Sequence, residues 1–171
     1  EGIAHFVEHL WFRSKHIDPT SGQRLPKVWD LISDLGCSLN ASTADDWTNY
    51  MTVCPATSLP AMLRLESLRL TSAVEGVEES VVDTEREVVR NELRMRYENA
   101  WATILPYLFD KLYPDTHPYH RLGIGSHGSL DNIRLADIQE FVKTNYRPEN
   151  TTIVVVGAFD LADIQELIFD N

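Results

Sequence analysis

The sequence lacks two features that would each indicate a particular class of protein. No uninterrupted apolar run reaches the roughly 18 residues of a membrane-spanning helix, so we expect no membrane span. Basic residues are scarce, because 15 Lys and Arg stand against 26 Asp and Glu and the formal net charge is -11. Nucleic-acid binding needs clustered basic side chains, so no nucleic-acid partner is expected. A metal ion or a cationic substrate suits this charge better.

Cysteine is also scarce, since Cys37 and Cys54 are the only two. Their spacing is not C-x-x-C, and the pattern of many closely spaced cysteines that small secreted domains carry is absent. This favours two free cysteines over a disulfide. Residue 1 falls four positions before His5, so the sequence is expected to be cut from a longer one, and the compartment stays open.

The residues that are present predict one globular domain over 1–171, because 43% of them are hydrophobic. Apolar residues at three-and-four spacing predict helices over the opening stretch and over 25–35, 58–73, 81–98, 101–113, 135–146 and 161–169. Short runs rich in Thr, Val and Tyr predict an antiparallel strand pair, 37–43 and 48–54, and a buried strand over 151–156. Segments 13–26 and 114–130 read as loops. This mixture predicts an α+β fold of two layers, with helices covering a mainly antiparallel sheet.

The opening stretch contains His5-Phe6-Val7-Glu8-His9 among aliphatic and aromatic residues. On a helix His5 and His9 are one turn apart, so their imidazoles can reach one ion, and Zn²⁺ readily accepts histidine nitrogen. The simpler interpretation is two polar residues on an ordinary helix with Glu8 as a surface acid. A catalytic zinc site needs three protein ligands and an open position for water, so another part of the chain must supply the third ligand.

Two regions could supply that ligand. One is the loop-like segment 114–130, which contains three of the six histidines. The other is the predicted helix over 81–98, where Glu85 and Glu92 are seven residues apart and therefore share a face. One of these carboxylates could bind the ion while the other supports it, although a solvated charged face would have the same pattern. A helix is the more rigid support, which favours this second region.

The order His-x-x-Glu-His reverses the common His-Glu-x-x-His signature and is typical of inverzincins. Further motifs lie along the chain: GIAHFVEHL (2–10), NAST (40–43), TNY (48–50), EREVVRNE (85–92), HPY (117–119), YRPEN (146–150) and VVVG (154–157). In this combination the chain resembles the N-terminal catalytic half of the M16 metallopeptidases, which include pitrilysin, insulin-degrading enzyme and the mitochondrial processing peptidase. The resemblance covers nearly the whole chain.

The resemblance implies a ligand set and the role of each residue. His5, His9 and Glu92 would bind Zn²⁺, and Glu8 would be the general base. Glu85 would be a further catalytic-site carboxylate that steadies the metal centre.

The resemblance also implies how substrate and partner are bound. The strand that carries Asn40 and Ala41 would pair with an extended peptide substrate by β-augmentation. A second, homologous half would close the site, either in the same chain or as a separate subunit.

The function expected from these implications is zinc-dependent endopeptidase activity on peptides or small unfolded polypeptides. The alternative is a non-catalytic subunit of the same family that has a structural or substrate-holding role. The complete set of His5, Glu8, His9 and Glu92 favours the enzyme, since a degenerate subunit would usually have lost one of them. A purely structural zinc site fits less well, because closed zinc sites favour cysteine and Glu8 would have no role.

Overall fold

The computed structural model describes residues 1–97 and 102–169. The α-helices within these residues are Ile3–Trp11 (α1), Val28–Asp34 (α2), Leu59–Ser72 (α3), Glu79–Tyr97 (α4), Ile104–Leu112 (α5), His127–Asn132 (α6), Leu135–Asn145 (α7) and Leu161–Phe169 (α8). None of them combines the length and the apolar character needed to cross a membrane. The predicted helix end at Glu98 and the predicted helix start at Trp101 lie outside the described residues.

Two strands, Ser38–Thr43 (β1) and Thr48–Val53 (β2), form an antiparallel hairpin. Its register runs from Ser38 opposite Val53 to Thr43 opposite Thr48. Exposure alternates along both strands, as expected for a sheet with one face against the protein. Helix α1 contacts β1 on that face. The predicted α+β class is confirmed, with helices as the larger component.

Helix α1 begins where two glycine backbones touch. Gly2 has a φ of 82°, and a Cβ added to it would lie 2.8 Å from the carbonyl oxygen of Ile124. Gly125 has a φ of 87° and packs against the backbone of Gly2. A side chain at either position would separate the two segments, so glycine is required there. This contact fixes the start of the helix that carries His5.

Helix α1 is buried between two groups of apolar side chains. The larger group consists of Phe6, Val7, Leu10, Ala73, Val74, Val77, Val82, Val89, Leu93, Ile124, Leu130, Ile133, Ile138 and Val142. The smaller group consists of Trp11, Val28, Ile32, Met62 and Leu65. Because α1 contributes side chains to both groups, it is held from two sides and is a rigid base for the residues between its apolar positions.

Helix α4 is anchored by arginines that reach towards α6. The buried guanidinium of Arg86 donates to the carbonyl oxygens of Leu130 and Ile133, the second at 3.0 Å. Arg90 forms an ion pair with Asp131. These contacts satisfy carbonyl groups at the end of α6 and fix the rotation of α4. The face of α4 that carries Glu85 and Glu92 is thereby directed at α1.

The expectation of two free cysteines is wrong, because Cys37 and Cys54 form a disulfide. Cys37 precedes β1 and Cys54 follows β2, so the register that pairs Ser38 with Val53 also brings the two cysteines face to face, with Cα atoms 4.3 Å apart. Cysteine spacing along the chain carries no information about strand register, which is why the sequence pattern misled.

Segment 151–156 has no regular secondary structure and is not the buried strand that the sequence predicted, which is a second correction. Ile153, Val154 and Val156 are 48%, 77% and 91% exposed. Among the described residues no strand pairs with this segment. Its Val-rich sequence has the composition of a strand, but composition does not supply a neighbouring strand to pair with.

The predicted loop over 114–130 contains the start of α6, which is a third difference. Ser126 accepts a hydrogen bond from the backbone of Ser129, and the Ser129 side chain accepts from the backbone of Ser126. This reciprocal capping satisfies two backbone donors and begins a short helix in a glycine-containing sequence without apolar periodicity.

Candidate metal centre

Three side chains from two helices converge at one point. His5 and His9 project from α1 and Glu92 from α4, and one ligand atom from each lies within 4.8 Å of the other two. The Nε2 atoms of His9 and His5 are 3.2 Å and 3.6 Å from the same Glu92 oxygen, Oε2. His5 is buried, whereas His9 and Glu92 are partly exposed. The arrangement has two imidazole nitrogens and one carboxylate oxygen around a common centre that solvent can reach.

Glu85 lies behind His9 on the side away from Glu92. Its Oε2 is 3.5 Å from His9 Nδ1, and its Oε1 accepts from the Nε of Arg13 at 2.7 Å. A carboxylate at Nδ1 favours the tautomer with the proton on that nitrogen, which leaves Nε2 free to act as a ligand. The seven-residue interval between Glu85 and Glu92 therefore brings both carboxylates to opposite nitrogens of one imidazole.

Arg96 binds the other oxygen of Glu92. Its Nη2 is 2.7 Å from Glu92 Oε1, four residues away on the same helix. The contact leaves Oε2 to face the two imidazoles. Arg96 and Arg13 were both missed in the sequence analysis, although the spacing of Arg96 and Glu92 is a recognisable helical ion-pair signal. Arg13 had no such signal, because its contact with Glu85 depends on how α1 and α4 cross.

The charges around His9 strongly favour a cation. Burial lowers the pKa of His9, but its contacts with Glu85 and Glu92 outweigh burial and raise that pKa to about 9. Hydrogen bonds with His5 and His9 hold the pKa of Glu92 well below its usual range. Burial raises the pKa of Glu85, but His9 and Arg13 more than offset this and the net shift is downward. Two ionised carboxylates therefore flank one imidazole, and a dication bound there would find compensating charge.

Glu8 lies one position before His9, on the neighbouring face of α1, and is buried. Its Oε2 accepts a hydrogen bond from the hydroxyl of Thr43, the last residue of β1. Thr43 in turn lies 3.2 Å, between hydroxyl oxygens, from Thr48 on β2. Sequence reasoning identified Glu8 but not Thr43, since only the packing of β1 on α1 brings the two together.

Asn40 and Ala41 lie in the middle of β1. Asn40 is exposed, and Ala41 faces inward opposite Tyr50. The Ala41 N–H donates to Asn40 Oδ1 at 2.9 Å, so the Asn40 side chain covers this backbone donor. Within the described residues β1 pairs with β2 alone. A peptide that pairs with the opposite edge of β1 would have to displace the Asn40 side chain.

The histidines of segment 114–130 do not join the cluster. His117 stacks on Tyr113 with ring centroids 4.7 Å apart. His120 Nε2 is 3.6 Å from Asp110 and from Asp115. His117 and His120 thus make local contacts, and of the two possible sources of a third ligand it is the acidic helix α4 that reaches His5 and His9.

Known sequence families match the chain along nearly its full length. The profile of Insulinase (Peptidase family M16) matches residues 1–124, and that of the Peptidase M16 inactive domain matches residues 132–170. The chain is 31% identical to the zinc protease PqqE of Helicobacter pylori over 97% of its own residues and 36% of that protein. It is 29% identical to the probable zinc protease PqqL of Escherichia coli, over 99% of this chain and 18% of that protein.

Solved structures agree with these matches. A protease from Helicobacter pylori superposes with a TM-score of 0.86 at 30% identity, over 99% of this chain and 39% of that one. The periplasmic protease PqqL from Escherichia coli superposes with a TM-score of 0.82 at 28% identity, over 99% of this chain and 19% of that one. The chain thus spans less than two fifths of the length of these relatives. Because the profile of Insulinase (Peptidase family M16) covers residues 1–124 of the chain, the chain belongs to peptidase family M16.

Proposed function

We propose that the protein containing this chain is a zinc-dependent metalloendopeptidase that cleaves peptides or small unfolded polypeptides. The observation that carries the proposal is the convergence of His5, His9 and Glu92 from two rigid helices, with the buried Glu8 next to His9. Two neutral imidazoles and one carboxylate are a typical donor set for catalytic zinc, which keeps one position open. When bound, zinc supplies a Lewis acid that makes a water molecule acidic near neutral pH and polarises a peptide carbonyl.

The residues of the chain then have separate tasks. His9 is held in the ligating tautomer by Glu85, which Arg13 orients in turn. Glu8 accepts the proton of the attacking water and delivers it to the leaving nitrogen of the peptide. The edge of β1 opposite β2, at Asn40 and Ala41, holds the substrate in an extended conformation by backbone hydrogen bonds once the Asn40 side chain has moved off the Ala41 N–H.

The proposal includes a second half of the M16 type that closes the site over the substrate. Since the chain spans 36% of PqqE and 18% of PqqL, we expect this half in the remainder of the same polypeptide, with a separate subunit as the other arrangement. Activity is accordingly proposed for the full-length protein and its partner half.

The test uses the full-length protein, loaded with zinc, on a mixture of unfolded peptides with quenched fluorophores. The variant Glu8→Gln should keep its zinc. Its rate of hydrolysis should fall by a factor of about 10²–10⁴, the usual contribution of a general base. Glu87→Gln is the matched control, because it makes the same change at an exposed glutamate of α4 that pairs with Arg90. Unchanged hydrolysis by Glu8→Gln would overturn the role of Glu8.

A second set of variants tests the ligands themselves. His5→Ala, His9→Ala and Glu92→Ala should each lose bound zinc, measured by elemental analysis of the purified protein. A variant that keeps one zinc per chain would remove that residue from the ligand set.

A further inference from the structure

The hairpin reaches the candidate general base through one hydroxyl. Thr43, at the end of β1, donates to Oε2 of Glu8 on α1. Glu8 is buried, and Oε2 has this partner among the described residues. A glutamate side chain has three rotatable bonds, so a fixed donor at one oxygen selects one orientation of the carboxylate and leaves the other oxygen, Oε1, for another partner.

A second hydroxyl directs the Thr43 proton. Thr43 and Thr48 are opposite each other in the hairpin, and their hydroxyl oxygens are 3.2 Å apart. A hydroxyl has one proton, and that of Thr43 is donated to Glu8. In the contact between the two threonines, Thr48 is therefore the donor and Thr43 the acceptor. The order of donation runs from β2 through β1 to the carboxylate.

The hairpin end that carries these threonines is held against α7. Tyr50 follows Thr48 on the same inward face of β2, and its hydroxyl is 2.7 Å from that of Tyr146. Burial raises the pKa of both tyrosines, and the negative charge of nearby Glu8 adds to the rise. Both phenols are thus protonated at neutral pH, and their hydrogen bond ties β2 to the end of α7 next to Glu8.

We propose that Thr43 is a positioning residue for Glu8. It does not touch the substrate; it holds the carboxylate so that Oε1 faces the attacking water. This inference rests on the proposed peptidase function. A base must lie within about 2.6–3.2 Å of the proton it takes, and a misplacement of about 1 Å can lower a rate about 10²-fold. Removing the Thr43 hydroxyl should therefore lower kcat and leave metal binding intact.

The test compares Thr43→Val with Thr43→Ser in the zinc-loaded full-length protein. Valine keeps the shape of threonine without the hydroxyl, and serine keeps the hydroxyl. We expect Thr43→Val to lower kcat about 10- to 100-fold, with KM within about twofold and zinc content unchanged, and Thr43→Ser to restore most of the loss. Thr52→Val is the matched control, because it makes the same change on the same hairpin at a buried hydroxyl without a partner in the described residues.

A crystal structure of zinc-loaded Thr43→Val gives a readout that does not depend on activity. The Glu8 carboxylate should leave the orientation that it has in the wild type and in Thr43→Ser. Should Thr43→Val fold poorly, Thr48→Val is the second variant; it removes the donor to Thr43 and should lower kcat about 3- to 10-fold.

The outcomes separate this inference from the proposed function. Wild-type kcat in Thr43→Val, or equal losses in Thr43→Val and Thr52→Val, would overturn the role of Thr43 while the peptidase function stands. Absence of hydrolysis by the wild-type protein would overturn the proposed function and, with it, this inference. Hydrolysis that is insensitive to Glu8→Gln would overturn the role of Glu8 and therefore this inference, while the peptidase function stands.

Discussion

Two regions of the molecule bring histidines close to carboxylates, and they differ in how far the packing of the fold supports those carboxylates. On α1, His9 lies between Glu85 and Glu92, which project from a second, anchored helix. In segment 114–130, His120 lies 3.6 Å from Asp110 and from Asp115, but the Asp115 side chain is 95% exposed. The distances between imidazole and carboxylate are therefore similar in the two regions. Around His9 they belong to two packed helices, whereas around His120 they belong to a solvated surface contact. The difference teaches that convergent support, more than the residue types, makes a metal site.

The largest expected effect comes from testing which of these regions binds zinc. Zinc at about 1,000 times its Kd should stabilise the folded protein by about 4 kcal/mol, because it binds the native state alone. In differential scanning calorimetry, the Tm with zinc should therefore be higher than the Tm with chelator for the wild type and for His120→Ala. For His9→Ala the two Tm values should be equal. A shift lost in His120→Ala but kept in His9→Ala would reverse the comparison.

The disulfide closes the hairpin that packs on α1. Removing it tests how far the stability of the region around the metal centre depends on that hairpin. Cys37 and Cys54 are 17 residues apart, and closing a loop of this size stabilises a protein by about 3 kcal/mol. Reduction, or the double replacement Cys37→Ser with Cys54→Ser, should lower the free energy of unfolding in urea by roughly that amount. Equal stability with and without reductant would show that the hairpin does not need this link.

Replacing the carboxylate next to each histidine should give a smaller effect, a change in zinc affinity, and it should do so in only one of the two regions. Glu85→Gln removes the charge that orients His9, and loss of such a supporting group lowers metal affinity about 10- to 100-fold. Asp110→Asn makes the same change next to His120 and should leave zinc affinity unchanged. Competition with a coloured zinc chelator measures both. Equal affinities for Glu85→Gln and wild type would assign Glu85 a role in packing alone.

The smallest expected effect is the pH dependence that a third histidine, His16, gives to the stability of the fold. His16 is fully buried, with ring nitrogens 3.1 Å from the hydroxyls of Ser14 and Ser72, and burial lowers its pKa despite nearby Glu75. The unfolded chain therefore binds this proton more readily, so stability is lost as pH falls below about 6.5. Between pH 7.5 and 5.5 the free energy of unfolding of the wild type should therefore fall by about 1 kcal/mol relative to that of His16→Gln, in which the other titrating groups are the same. Urea unfolding at both values measures it; a loss as large in His16→Gln would assign it to other groups.

The parts of the site that follow helical periodicity were predictable from the sequence. The spacing of His5, Glu8 and His9, and the shared face of Glu85 and Glu92, depend on 3.6 residues per turn and nothing else. Thr43 was not predictable in this way, because its contact with Glu8 depends on the packing of a strand on a helix. The Cys37–Cys54 bridge and the exposed segment 151–156 also depend on strand pairing, which local pattern does not determine.

The central claim is that His5, His9 and Glu92 bind one zinc ion. Anomalous diffraction at the zinc edge, from crystals of the full-length protein grown with zinc, tests it most directly. We predict a single peak about 2.0–2.2 Å from Nε2 of His5, Nε2 of His9 and a carboxylate oxygen of Glu92. A zinc peak elsewhere, with these three side chains paired only to one another, would contradict it.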